Sequence, residues 1–186
     1  MLAFWRRGYE DCSVADLVEA TELQRQSLYN TFGDKHGLFL AALRKYRQLV
    51  EQSLAPLRPP ESGMSDIRRF MEETLKLQQD GDFGGCLMVR TALGPSHQDK
   101  SIRTAVEAGA SSVRACFAQV IKQSKARGEI SGPVEPEALA GLLFTVLHGL
   151  SALIRTGGSA RDVSSVLSQA LAPGQPSSNA AHGRKE

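Results

Sequence analysis

At 186 residues the chain has room for one moderately large domain, or for a small head with a larger body. Its 41% hydrophobic content supports a packed core, and 23% charged residues is ordinary for a globular protein. A net charge of +2 is too weak to argue for a nucleic-acid partner by itself, so any such partner must be met by basic groups gathered on one face.

The first predicted element is the short LAFWRRGYE segment. Ser13 then sits where an N-cap belongs, and Asp16 three places later completes a box-like start for a helix over residues 14–20. Val14, Leu17, Val18 and Ala20 form the side of that helix expected to be buried. Leu23 is expected to plug the following turn, and Leu28 and Phe32 to pack a second short helix against the first. A long helix runs from Lys35 to about Ser53 on a stripe of Leu38, Phe39, Ala42, Leu43, Tyr46, Leu49 and Val50. The PLRPP run at residues 56–60 should break it and separate head from body.

Beyond that break the pattern is helical throughout. Ile67, Phe70, Met71, Thr74 and Leu75 make one stripe; Ile102, Val106, Gly109, Val113, Phe117, Val120 and Ile121 make another at steps of three and four. Between them GDFGG precedes CLMVRTAL, a short apolar segment ending at Gly94-Pro95, and Gly128 and Gly132-Pro133 stop the later helix. Residues 138–154 (ALAGLLFTVLHGLSALI) are apolar almost all round, so that helix must be covered on more than one side, by the core and most simply by a second subunit. Residues 160–172 add an amphipathic helix with Val163, Val166, Leu167, Ala170 and Leu171 on one face. With no convincing strand pattern, the fold class is all-α. The Pro/Gly-rich segment 173–186 is expected to be a disordered tail.

The first 55 residues carry seven basic and seven acidic side chains, so the head has no bulk charge to attract DNA. Its chemistry lies in the polar side of the second helix: Gln24, Arg25, Gln26, Ser27, Tyr29 and Asn30. Gln suits adenine and Arg suits guanine, each bidentate, with Gln26 and Asn30 the best candidates for base readout. Tyr29, Thr31 and Lys35 are better suited to phosphate.

The segment SVADLVEATELQRQSLYNTFGDKHGLFLAALRKY resembles the helix-turn-helix head of the TetR/AcrR family of bacterial transcriptional regulators, and LYNTFGDK matches that family's signature. The resemblance implies a three-helix DNA-binding domain over residues 1–46 with a truncated first helix. A long connecting helix would join it to a helical effector-binding and dimerisation domain over residues 47–172. It implies that Gln24, Arg25, Gln26, Tyr29 and Asn30 face the operator and that Lys35 holds a phosphate. One departure stands out: Glu22 occupies the turn position where family members usually have Gly.

In the body, GGCLMVRTAL and ARGEI followed by PEALAGLLFTVLHGL are similar to one branch of the family. Family body helices enclose an effector cavity, here implied to be lined by Phe70, Leu75, Cys86, Met88, Arg90, Val113, Phe117, Leu147 and His148. Arg90 in an apolar run needs a carboxylate, a ligand anion or the surface. Cys86 is read as structural before reactive, and His148 as a satisfied core or interface histidine. The last two helices would pair with their equivalents in a homodimer through Leu139, Leu143, Leu150, Val163, Val166, Leu167 and Leu171.

The expected function is a ligand-responsive regulator, commonly a repressor, released from a palindromic double-stranded DNA operator by a small-molecule effector. The alternative is a TetR-like dimer with a clipped head that works through protein partners without binding DNA. An enzyme is not called for: His36, His97, His148 and His182 are scattered, and no H-E-x-x-H, G-x-S-x-G, P-loop or G-x-G-x-x-G is present. No cofactor or metal is expected, since Cys12, Cys86 and Cys116 contain no C-x-x-C pair; their spacing also excludes a disulfide framework and suits a reducing cytosol. No stretch approaches the roughly 18–20 uninterrupted apolar residues that cross a bilayer, and MLAFWRRGY lacks the layout of a secretory signal. A cytoplasmic protein without a membrane partner is expected.

Overall fold

The computed structural model describes residues 1–81, 83–130 and 132–171, and all regular structure among them is helical. Nine α-helices follow in order: α1 (Leu2–Asp11), α2 (Val14–Thr21), α3 (Arg25–Phe32), α4 (Lys35–Ser53), α5 (Met64–Asp80), α6 (Leu87–Leu93), α7 (Lys100–Ala126), α8 (Pro136–Arg155) and α9 (Ala160–Leu171). The expected tail at 173–186 lies outside the described residues.

Local chemistry sets these boundaries. Ser13 Oγ accepts from the Asp16 amide at 3.1 Å while the Asp16 carboxylate accepts from the Ser13 amide at 2.7 Å, so the capping box at α2 is complete. The Ser13 hydroxyl, before any other group, holds the Asp16 carboxyl below its ordinary pKa. Asp34 caps α4 through the Gly37 amide at 2.7 Å, and Asp99 caps α7 through the Ser101 and Ile102 amides. After α4 the prolines force a short 3₁₀ turn over Ala55–Leu57, with Leu54 and Leu57 buried beneath it. Arg127 fastens the loop that follows, donating to the carbonyls of Pro60 and Ser62.

Two apolar cores result. The body core joins α5, α7, α8 and α9, including Ile67, Met71, Leu75, Phe117, Val120, Ile121 and Leu143. The head core joins Phe4, Trp5, Leu17, Leu28, Phe39 and Leu43 to Leu87 and Met88 of α6 and to Ile102 and Val106 of α7. The head is therefore not packed on its own: its core runs past residue 46 into α6 and the start of α7.

Several expectations need correction. Leu23, 46% exposed, does not plug its turn, because the chain reverses through Glu22 and leaves Leu23 outside. Ala20 and Leu49 are also exposed, lying at the edges of the stripes to which spacing assigned them. Helix α8 does reach the length and mean hydropathy of a membrane span, against the expectation that no segment would. Leu139, Ala140, Leu143, Leu147, Leu150 and Ser151 of that helix are buried against the protein's own core, as in a core helix.

Candidate DNA interface and body cavity

Helix α3 turns Leu28 inward and leaves Gln24, Arg25, Gln26, Ser27, Asn30 and Thr31 exposed, with Tyr29 half-buried. Side chains four apart pair along this face. The Gln26 amide donates to Asn30 Oδ1 at 3.0 Å, and Arg25 lies over the Tyr29 ring, 5.3 Å from its centroid, with Nη2 3.4 Å from the hydroxyl. Thr31 Oγ1 returns to the Ser27 carbonyl at 2.9 Å. The side chains whose chemistry suits base edges are thus paired with one another along the exposed face.

The turn before α3 passes through Glu22 at φ 55°, ψ 18°, a left-handed conformation that favours glycine. Gly33 closes α3 at φ 81°. Lys35 folds back on α1: its ammonium lies 4.7 Å from the Tyr9 ring centroid and 3.4 Å from the Glu10 carbonyl.

Helix α1 is kinked at Gly8, where φ is 86° and ψ 176°. Arg90 of α6 fills the kink, donating to the Arg6 carbonyl at 2.9 Å and to the Arg7 carbonyl. A Cβ on Gly8 would stand 2.6 Å from Arg90 Nε, so glycine is needed for both the backbone turn and the close approach. Around this clasp, Trp5 Nε1 donates to the Gly85 carbonyl at 2.7 Å, and the Ser96 amide donates to Glu10 Oε1 at 2.7 Å. A parallel link joins α4 to α7, with His36 Nε2 3.4 Å from Asp99 Oδ1. Sequence reasoning found none of these contacts; its signals are Arg90 in an apolar run and the glycine inside an otherwise helical α1 pattern.

Between α4, α5, α6, α7 and α8 lies a cavity of about 530 Å³. Six of the nine residues assigned to such a site line it: Phe70, Cys86, Met88, Val113, Leu147 and His148. Leu75 and Phe117 do not, being 1% and 0% exposed inside the body core, although they stand on the same helices as Phe70 and Val113. Arg90 is elsewhere, in the clasp, beside a second space of about 400 Å³ edged by Arg7, Glu10, Asp11 and Arg155. Burial lowers its pKa, the neighbouring Arg155 adds to this, and the two carboxylates oppose it.

Tyr46, Arg47, Thr74, Gln78, Val89, Gly109, Phe144 and Ser151 also line the main cavity. Gln78 could not be found from sequence, because a glutamine on an amphipathic helix reads as surface. Burial pushes the Cys86 thiol up and outweighs the opposing hydrogen bond that Tyr46 donates to its sulfur at 3.2 Å, so this sulfur is held as a thiol. His148 is held below its ordinary pKa by burial, with Nδ1 2.9 Å from the Phe144 carbonyl. Among the described residues, no cluster of three or more His, Cys, Asp or Glu could hold a metal.

The expected interface residues divide sharply. Leu139, Leu143, Leu150, Val163, Leu167 and Leu171 are buried in the chain's own core and have no surface left for a partner. Of that set only Val166 is exposed, at 44%, and on α8 the outward side is instead Leu142, Thr145 and Gly149.

Comparison with known proteins agrees along the chain. Residues 3–42 match the family model described as bacterial regulatory proteins, tetR family, and residues 63–170 match tetracyclin repressor-like, C-terminal domain. The HTH-type transcriptional repressor ComR of Escherichia coli is 29% identical over 164 residues, covering 86% of this chain and 77% of ComR. The HTH-type transcriptional repressor AcnR of Corynebacterium glutamicum is 28% identical over 165 residues, covering 88% of this chain and 82% of AcnR. Among solved structures, a cysteine mutant of the TetR family regulator CifR complexed with 26-bp double-strand operator DNA superposes with a TM-score of 0.79 at 32% identity, covering 91% of this chain and 90% of CifR.

Proposed function

The chain belongs to the TetR family of bacterial regulatory proteins and is a DNA-binding transcriptional regulator, and from that premise we propose that it is a cytoplasmic homodimeric repressor whose hold on a palindromic operator is released by a small molecule in the body cavity. The observation that carries this reading is the exposed polar face of α3, six side chains presented around buried Leu28. Gln26 and Asn30 read base edges, Arg25 reads guanine, and Tyr29 and Thr31 position the head on phosphates, joined by Lys35 once its ammonium leaves Tyr9 and the Glu10 carbonyl. One helix of this length reads few bases, so a second copy sets two heads about one helical repeat, roughly 34–36 Å, apart. A head and body divided near residue 46 serve this arrangement, with α4 belonging to both.

Release follows from the cavity walls. Tyr46, Arg47, Val50 and Ser53 belong to α4, while Met88, Val89, Ala92 and Leu93 belong to α6, the helix that clasps α1. A ligand that parts these walls moves the head by two routes. A coupling of about 1–3 kcal/mol, the usual range, loosens DNA five- to 150-fold.

The test is operator binding across a salt series, using DNA from upstream of the protein's own gene. With roughly three phosphates neutralised per subunit, log K against log salt should fall with a slope of about −5. Asn30→Ala should lower operator affinity about tenfold or more and leave binding to random DNA nearly unchanged. A slope near zero removes the DNA claim.

A further inference from the structure

We propose that the body cavity selects an uncharged, mainly apolar molecule with a hydrogen-bond donor that is received by Gln78 and His148, an inference that rests on the cavity being the effector site. The walls set the first half of the specification. Phe70, Met88, Val106, Val113, Phe144 and Leu147 surround most of the space, and none of the described lining residues is acidic. Among the described residues the only charged lining side chain, Arg47, is exposed at the rim. A cation inside would be desolvated with no counter-charge, and an anion would be paired only through that exposed guanidinium. A volume of about 530 Å³ lies within the range of sites for drug-sized molecules.

The second half comes from the polar groups that are not yet spent. Ser53 Oγ donates to the Val50 carbonyl, Thr145 to that of Gly141, and Ser151 to that of Leu147, while Tyr46 donates to Cys86. Gln78 is different: it is 3% exposed, and its Oε1 is sealed from solvent and, among the described residues, has no hydrogen-bond partner, so the amide has to turn about its last bond to receive a ligand. Native interiors rarely leave such an atom unpaired, so a wall containing one is completed by whatever the cavity holds. His148 adds a second acceptor. Its Nδ1 faces the Phe144 carbonyl, which places the proton of the neutral ring there and leaves Nε2 bare. Thr74, one turn before Gln78 on α5, also lines the cavity and adds a hydroxyl beside the amide. Two acceptors in an apolar enclosure ask for an O–H or N–H on the ligand.

The test uses four probes on one frame: naphthol, naphthalene, naphthoate and naphthylmethylammonium, titrated calorimetrically into the full chain at neutral pH without DNA. Naphthol should bind tightest, about tenfold above naphthalene, with both ions weaker than naphthalene. Gln78→Met keeps the side-chain length and removes the amide; it should reduce naphthol's advantage over naphthalene to threefold or less and raise the melting temperature of the ligand-free protein. Either ion matching naphthol, an advantage unchanged in Gln78→Met, or no binding of any probe would overturn the proposal. The wild-type ranking stands as a test even if the variant does not fold. Operator binding is measured separately: a chain that ranks the probes as expected yet ignores DNA counts against the repressor and not against this specification.

Discussion

Glu22 shows how much one position can report. The sequence marks it as a departure from glycine, and the backbone is indeed left-handed there, at φ 55°. A side chain in that region carries a steric cost on the order of 1 kcal/mol, and its carboxylate sits in the turn leading to the face meant for phosphate. Glu22→Gly should therefore stabilise the fold by up to about 1 kcal/mol, read as a small rise in the denaturant midpoint, and should tighten DNA most at low salt. A loss of stability would mean that Glu22 makes a compensating contact. Capping is equally legible, since Ser13 and Asp16 are three apart and the box closes locally. Arg90 is the opposite case. An arginine in an apolar run signals an unmet need, but the carbonyls that meet it are 83 and 84 residues away in a kinked helix, and no local pattern encodes them. Gln78 is hidden for a related reason: periodicity shows that α5 has a polar side without showing that a cavity reaches it.

Element by element, period and punctuation carry the assignment. Helix α4 spans the residues its stripe predicts, and the seven-residue stripe of α7 is buried in full. What periodicity does not reveal is which element holds which. The connecting helix α4 alone would suffice for a simple lever, yet α1 is tied to α6 by the Arg90 clasp and to the segments flanking it by Trp5 on Gly85 and Glu10 at Ser96. Because α6 also forms cavity wall, under the proposed release these bonds would make α1 a second arm of the lever. Arg90→Met retains the stem that packs between α1 and α6 but loses the donors to the carbonyls of Arg6 and Arg7. We expect ligand affinity to stay within about threefold of the parent while ligand-driven release of operator shrinks at least fivefold. Full release with Arg90→Met would assign the coupling to α4 alone. Gly8→Ala should act on the same clasp from the other side and also destabilise the fold, since a Cβ meets both an unfavourable φ and the guanidinium.

For the molecule as a whole, hydropathy overstates what it can decide about assembly. When a helix is apolar all round, as α8 is, composition says that two sides are covered and not which residues face which side. The structure divides them by register: Leu139, Leu143, Leu147 and Leu150 face the chain's own core, and Leu142, Thr145 and Gly149 are exposed, the last two also at the rim of the cavity, with Val166 exposed on α9. A second copy seated here would bury an apolar surface that solvent now meets and would set the distance between heads, each fixed to its body through a core shared with α6 and α7. Two substitutions one residue apart separate assembly from folding. Leu142→Asp, at a 49% exposed site, should leave a helical, cooperatively melting monomer by sedimentation, with operator affinity reduced at least a hundredfold because one head must bind alone. Leu143→Asp, at a site that is 0% exposed, should instead unfold the body, because it buries an unpaired carboxylate among leucines. If Leu142→Asp stays dimeric, the partner sits on another face, and the spacing of the two α3 helices must be derived again from that face.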